Sequence, residues 1–194
     1  MNDFLILVDD NDNEIGYSPK MEAHMKELLH RAFSLFIFNV NSNKMLLQKR
    51  ATGKYHSGGL WANACCSHPR KGEDIRAAVL RRTKEELGIL ISKYYSIADL
   101  IELSSFKYYC KYDGCAEHEI DHVFLLIVKE HITLKINKRE ISEVRWVSIP
   151  DLIEELNKKN DIFTAWFPKA FKIVLEYLSC SSCCIPISHW LMDF

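Results

Sequence analysis

Short apolar runs separated by polar breaks fill this chain, and their lengths and periods predict a mixture of strands and helices. Phe4–Val8 is expected as a strand, Asp9–Glu14 as a polar turn, and Ile15–Tyr17 as a strand pairing back. Ser18-Pro19 has the pattern of a helix start, a capping hydroxyl followed by proline at the first helical position, and predicts a short helix through Met25. Arg31–Val40 is rich in Phe, Ile and Leu and predicts a buried strand. Asn41-Ser42-Asn43 turns the chain, and Lys44–Arg50 returns. Ala51–Gly59, with Gly53, Gly58 and Gly59, is expected as an exposed loop, and Leu60–Cys66 as a third strand. From Asp74 to Leu87 the apolar positions Ile75, Ala78, Val79 and Leu87 form one helical stripe, closed by Gly88 as a C-terminal cap. Ile97–Tyr112 and Glu119–Lys129 are strand-like and flank the turn Asp113-Gly114. Val144–Val147 predicts another strand, and Pro150–Leu156 and Pro168–Leu178 two closing helices. Without repeats or low-complexity segments, this order predicts an α+β fold, an α/β sandwich whose mixed sheet is flanked by helices.

Composition narrows the function classes. At 194 residues the chain is sized for one domain spanning 1–194, with 179–194 as a C-terminal tail. A net charge of -1 gives no basic excess for nucleic acid. The longest apolar run, Val123–Val128, is far shorter than a membrane span. The start, Met1-Asn2-Asp3, lacks a secretory pattern, so a cytoplasmic location with reduced cysteines is expected.

The most informative stretch is Gly72–Ile89. Arg82 and Glu86 lie four apart and share a helix face. On its own this is the pattern of a solvated, ion-paired surface. However, Glu73, Arg81, Glu85, Glu86, Gly88 and Ile89 fall in the register of a Nudix box, which the stretch resembles. Two positions depart: Ser67 stands where the box has its first glycine, and Arg82 replaces the glutamate of Arg-Glu. In Nudix hydrolases that glutamate helps to hold metal ions. An arginine cannot, but it pairs well with diphosphate oxygens.

Other segments carry chemistry too. Cys65-Cys66-Ser67-His68-Pro69 puts a cysteine two residues from a histidine. Glu117-His118-Glu119-Ile120-Asp121 aims Glu117 and Glu119 at one strand face. Taken singly, each is ordinary: cysteines fill cores, histidines hydrogen-bond, and paired carboxylates are solvated. Together with Leu29-His30-Arg31-Ala32-Phe33-Ser34 and the Nudix-like helix, in this order, they resemble the type I isopentenyl-diphosphate isomerases over about Phe4–Leu178.

The resemblance implies a Nudix-like fold and a residue set. His24, His30, His68, Glu117 and Glu119 would hold one divalent ion, Mn²⁺, Zn²⁺ or Mg²⁺. Glu86 would share a Mg²⁺ with the substrate diphosphate. Lys20, Arg50, Lys54 and Arg82 would contact that diphosphate. Cys66 and Glu119 would act as acid and base on opposite faces of a five-carbon alkene, with Tyr108 relaying or orienting the proton. Tyr109 competes with Tyr108, but Phe106, Tyr108 and Cys110 share one strand face. Trp166 would lie over the developing cation. The implied partner is a small isoprenyl diphosphate, with neither nucleic acid nor membrane, and the chain is expected as a monomer. Two rivals remain open: a Nudix hydrolase of a nucleoside diphosphate derivative, and a non-catalytic module that keeps the pocket. Cys180, Cys183, Cys184 and His189 suggest a zinc set but lack a second ligand pair, so a frayed helix end is expected there.

Overall fold

In a computed structural model of the chain, residues 4–89, 91, 95–130 and 132–180 are described. The elements run β1 (Phe4–Val8), β2 (Glu14–Pro19), α1 (Lys20–Met25), β3 (His30–Asn39), β4 (Lys44–Arg50), β5 (Trp61–Ala62), β6 (Cys65–Ser67) and α2 (Ile75–Leu87). They continue with β7 (Leu100–Tyr112), β8 (Cys115–Val128), β9 (Ile141–Ser148), α3 (Ile149–Lys158) and α4 (Phe167–Cys180). Cys183, Cys184 and His189 lie outside the described residues.

β3 organises the sheet. One edge pairs in parallel with β8 along its whole length, from His30↔Glu119 to Asn39↔Val128. The other edge serves three antiparallel partners in turn: β1 at His30, β6 from Phe33 to Leu35, and β4 at Phe38 and Asn39. β7 pairs outside β8, and β9 outside β4.

Alternation along β3 fills two cores. Phe33, Leu35 and Ile37 pack with Ala78, Val79 and Leu87 of α2 on one face. Phe36 and Phe38 pack with Leu152 and Ile153 of α3 and with Phe171 and Val174 of α4 on the other. Helices therefore cover both faces, as the expected sandwich requires. On this second face the odd residues of β8 change character along the strand: Val123 and Leu125 join the core, whereas Glu117, Glu119 and Asp121 do not. The matching change on β3 runs from Phe38 and Phe36 through Ser34 and Ala32 to His30. The polar half of this face is where the candidate site residues gather.

α2 is fixed at both ends. Asp74 accepts hydrogen bonds from the N–H groups of Arg76 and Ala77, and Gly88 ends the helix at φ 70°. A Cβ at Gly88 would come within 2.7 Å of the Lys135 carbonyl oxygen. Lys135 N–H donates to Leu87 O and Asn137 N–H to Glu86 O, so the strand-like segment before β9 is stitched to the helix end.

Several expectations need correction. Ser18 does not cap α1. Its hydroxyl bonds to the Pro19 carbonyl, and both residues close β2 opposite Leu5 and Phe4. The residue before a proline is biased to extended backbone, which favours the ladder over the helix. The third strand is two strands. β5 pairs with β4 and β6 with β3. Between them the Asn63 amide donates to Leu35 O (3.2 Å) and Cys65 O (2.7 Å) and turns the chain from one partner to the other. β8 begins at Cys115 rather than Glu119, which brings Glu117 into the ladder. The 51–59 loop is not wholly exposed, because Ala51 and His56 are buried.

Candidate active site

His24 comes from α1, His30 from the start of β3, His68 from just beyond β6, and Glu119 from β8. Their potential ligand atoms all lie within 4.8 Å of one another, and all four residues are buried. Nδ1–H of His24 donates to Lys20 O, and Nδ1–H of His30 donates to Leu28 O, each at 2.7 Å. In the neutral rings these bonds turn both Nε2 lone pairs toward the cluster, where that of His24 meets the Tyr55 hydroxyl at 3.3 Å. Nε2 of His30 has no hydrogen-bond partner and faces Glu119 Oε1 at 3.5 Å. A buried imidazole nitrogen and a carboxylate oxygen placed this close need positive charge between them, a proton or a metal ion, so the residues fit a divalent ion. His68 Nε2 lies 2.9 Å from the same oxygen. Burial holds His24 down at about 4, and the neighbouring His30 adds to the effect. Burial opposes ionisation of Glu119, yet His30 and His68 hold its carboxyl well below the ordinary carboxylate range. Neutral imidazoles and an ionised carboxylate are the forms that bind a metal.

Glu117, on the same face of β8, keeps different company. Its carboxylate accepts from the hydroxyls of Tyr108 and Tyr112, the latter at 3.1 Å, and lies 3.1 Å from His56 Nε2. Burial, and then the charge of Glu119, push its carboxyl up to about 8. Asp121 completes the row, accepting from the Ser34 hydroxyl at 2.8 Å. Burial and the nearby Glu119 push its carboxyl well above the usual range.

Alternation on β6 separates the two cysteines. Cys65 enters the α2 core, while Cys66 packs against the cluster of Ala62, Tyr108 and Trp166. Burial raises the Cys66 thiol to about 12, against the opposing charge of Arg50, whose Nη1–H points at the sulfur from 3.8 Å. β7 separates the tyrosines in the same way: Tyr108 is buried at 4% exposure, while Tyr109, at 50%, bonds to Glu27 on the surface. Trp166 is held by its indole N–H, which donates to Asn63 Oδ1 at 3.1 Å, and its ring lies 5.3 Å from the Arg50 guanidinium.

Lys20, Arg50, Lys54 and Arg82 line the same cavity as Cys66, Glu117, Glu119 and Trp166. Burial lowers the Lys20 ammonium, and the charges of Lys54, Arg82 and Arg50 lower it further. Nε of Arg50 and of Arg82 are buried without hydrogen-bond partners. Such a gathering of cations suits an anion of high charge. Ser142 is the extra residue of a bulge in β9 opposite Lys49 and Arg50, and its hydroxyl donates to the carbonyls of both. Glu86 is buried on α2, bonded to Arg82 and to the Gln48 amide at 3.3 Å.

The structure thus gathers Cys66, Glu119, Tyr108, Lys20, Arg50, Lys54, Arg82, Trp166, His24, His30 and His68 around or beside one cavity. Glu117 is there too, but outside the four-residue cluster, and Glu86 stands behind Arg82. Sequence reasoning gave no role to His56, Tyr112, Asp121 or Ser34. Asp121 could have been found from the period of two that it shares with Glu117 and Glu119. His56, a single histidine in a glycine-rich loop, carried no such signal.

The NUDIX domain family model matches residues 28–167. Among solved structures, the DR0079 protein of Deinococcus radiodurans superposes with a TM-score of 0.66 at 18% identity, covering 90% of this chain and 99% of that one. That likeness is one of fold, and fold and site together define a NUDIX-domain protein with a buried His/Glu cluster that can hold a metal ion. An isopentenyl-diphosphate Delta-isomerase 2 from Photorhabdus laumondii is 44% identical over 171 residues, covering 87% of this chain and 90% of its own. A protein of the same name from Aromatoleum aromaticum is 40% identical over 177 residues, with coverages of 91% and 88%. The chain belongs to this isopentenyl-diphosphate Delta-isomerase family.

Proposed function

We infer that this protein is an enzyme that interconverts isopentenyl diphosphate and dimethylallyl diphosphate. The observation that carries the reading is the single cavity shared by Cys66, the Glu117 and Glu119 carboxylates, Trp166 and four cations. One proton is added to the terminal alkene carbon and another is lost two carbons away, so the net proton count is unchanged. At neutral pH Cys66 is held as a thiol and can donate on one wall. Glu119, with Glu117 and Tyr108 beside it, takes up the proton on the other, and the roles exchange in the reverse direction. The indole face of Trp166 stabilises positive charge without attacking it, by about 0.5–2 kcal/mol. Lys20, Arg50, Lys54 and Arg82 hold the diphosphate.

His24, His30, His68 and Glu119 would hold a divalent ion, Mn²⁺, Zn²⁺ or Mg²⁺, with Glu117 as the adjacent fifth donor. Bound there, the ion would supply positive charge that fixes Glu119. Glu86 would share a Mg²⁺ with the diphosphate. The reading takes the chain as one domain, acting as a monomer in the cytosol. Free thiols at Cys65, Cys66, Cys110, Cys115 and Cys180 suit a reducing compartment. No described helix is long and apolar enough to cross a membrane.

The test is incubation of the protein with Mg²⁺ and isopentenyl diphosphate in deuterated water, followed by NMR. Deuterium uptake with formation of dimethylallyl diphosphate is expected. Absence of both, with phosphate released from a nucleoside diphosphate panel, would replace this reading by hydrolysis.

A further inference from the structure

We propose that Glu140 is a positioning residue for diphosphate binding, acting by holding Lys54 beside Arg82. This rests on reading the cationic cluster as the diphosphate site. Glu140 lies just before β9 and does not line the cavity. Its carboxylate nevertheless pairs with the Lys54 ammonium, and its second oxygen lies 3.5 Å from Arg82 Nη2. The pair is well shielded, with side-chain exposures of 20% for Lys54 and 23% for Glu140.

The backbone holds the carboxylate in place. Ala51 N–H donates to Glu140 O at 2.9 Å, tying it to the loop that carries Lys54. Glu140 N–H donates to Asn137 O, and Asn137 N–H to Glu86 O, tying it to the end of the helix that carries Arg82. One residue is thus anchored to both elements whose cations it joins.

Lys54 and Arg82 come from separate elements, and both bear on Lys20 with the same charge. Repulsion would drive the flexible Lys54 chain outward into water. Arg82 has Glu85 and Glu86 as further partners, whereas among the described residues Glu140 is the carboxylate on Lys54. Glu140 therefore keeps the lysine inside the site, at a set distance from Arg82, before substrate arrives. Since it touches neither the alkene pocket nor Cys66, its removal should weaken binding and leave the chemical step alone.

The test uses the full chain with Mg²⁺ and inorganic pyrophosphate as the probe, read by calorimetry, together with steady-state kinetics. In E140Q the pyrophosphate Kd and the substrate KM should rise about five- to tenfold, the loss of one charge-assisted contact. kcat should stay within about twofold. In a K54M background, E140Q should add less than about twofold, because the lysine it positions is gone. E140D, which keeps the charge but shortens the reach, should fall between wild type and E140Q, and it also serves if E140Q does not fold. Pyrophosphate binding by E140Q or E140D as tight as wild type, or tighter, would overturn the proposal, as would equal fold-losses with and without Lys54. A wild-type protein that binds no pyrophosphate would instead remove the diphosphate site on which the proposal stands.

Discussion

Glu117 and Glu119 stand two residues apart on one face of β8, yet one is held by tyrosine hydroxyls and the other by histidines. Burial disfavours the charge of both alike, and it is the neighbours that separate the pair. Glu119 keeps its charge beside His30 and His68, and that charge helps Glu117 to keep a proton.

Replacing Cys66 by alanine should lower isomerisation by about a thousandfold, the scale of a lost acid–base group. The melting temperature should hardly move, since the side chain faces the cavity. Unchanged turnover would take the thiol out of the mechanism.

Chelation should abolish activity and destabilise the fold. An ion present at about a thousand times its Kd adds about 4 kcal/mol to stability, visible as a fall in Tm when it is removed. His30→Ala should lose the bound metal in elemental analysis. His118→Ala, whose ring turns away to bond the Glu27 carbonyl, should retain it. Equal metal content in the two variants would place the ion elsewhere.

Arg82→Ala should raise KM about tenfold through lost diphosphate contacts. A variant that only melts earlier, with KM unchanged, would assign Arg82 to holding the helix.

Glu73 gives a pH dependence that is independent of the site. It accepts two hydrogen bonds from Arg81, at 2.7 and 2.8 Å. Burial disfavours its charge, but the Arg81 bonds outweigh this and hold its carboxyl below the ordinary value. The folded state therefore binds this proton more weakly than the unfolded one. The stabilisation is complete above the unfolded pKa of about 4.3 and is lost as pH falls through the lower folded value. Glu73→Gln should cost about 1 kcal/mol at pH 7 in urea unfolding, with the gap to wild type closing below about pH 4. A gap that persists at pH 3 would argue against this pairing.

The sequence exposed most of the framework because periodicity is local. The apolar run of β3, the stripe of α2 and the Asp113-Gly114 turn are each readable within a dozen residues. Strand alternation likewise set Tyr108 and Tyr109 on opposite faces, with the family resemblance favouring Tyr108, and aligned Glu117 with Glu119. What stayed hidden depends on partners distant in the chain. The break between β5 and β6 exists because Asn63 bonds to β3, and Ser18 belongs to β2 because β1 lies alongside. His56 and Glu140 acquire meaning only when their loops meet β8 and α2. The division of labour between Glu117 and Glu119 follows from which neighbours surround each, which no local pattern records.

The face shared by β3 and β8 passes from reactive to solid within one pleat, between Ser34 and Phe36. Reactivity and cohesion are therefore drafted on the same two ribbons of backbone, with no buffer zone. A hole opened beneath Phe36 would be transmitted along the ladder to Ala32, Asp121 and then Glu119. Drift in the greasy end of these strands should thus be policed as strictly as drift among the polar residues themselves.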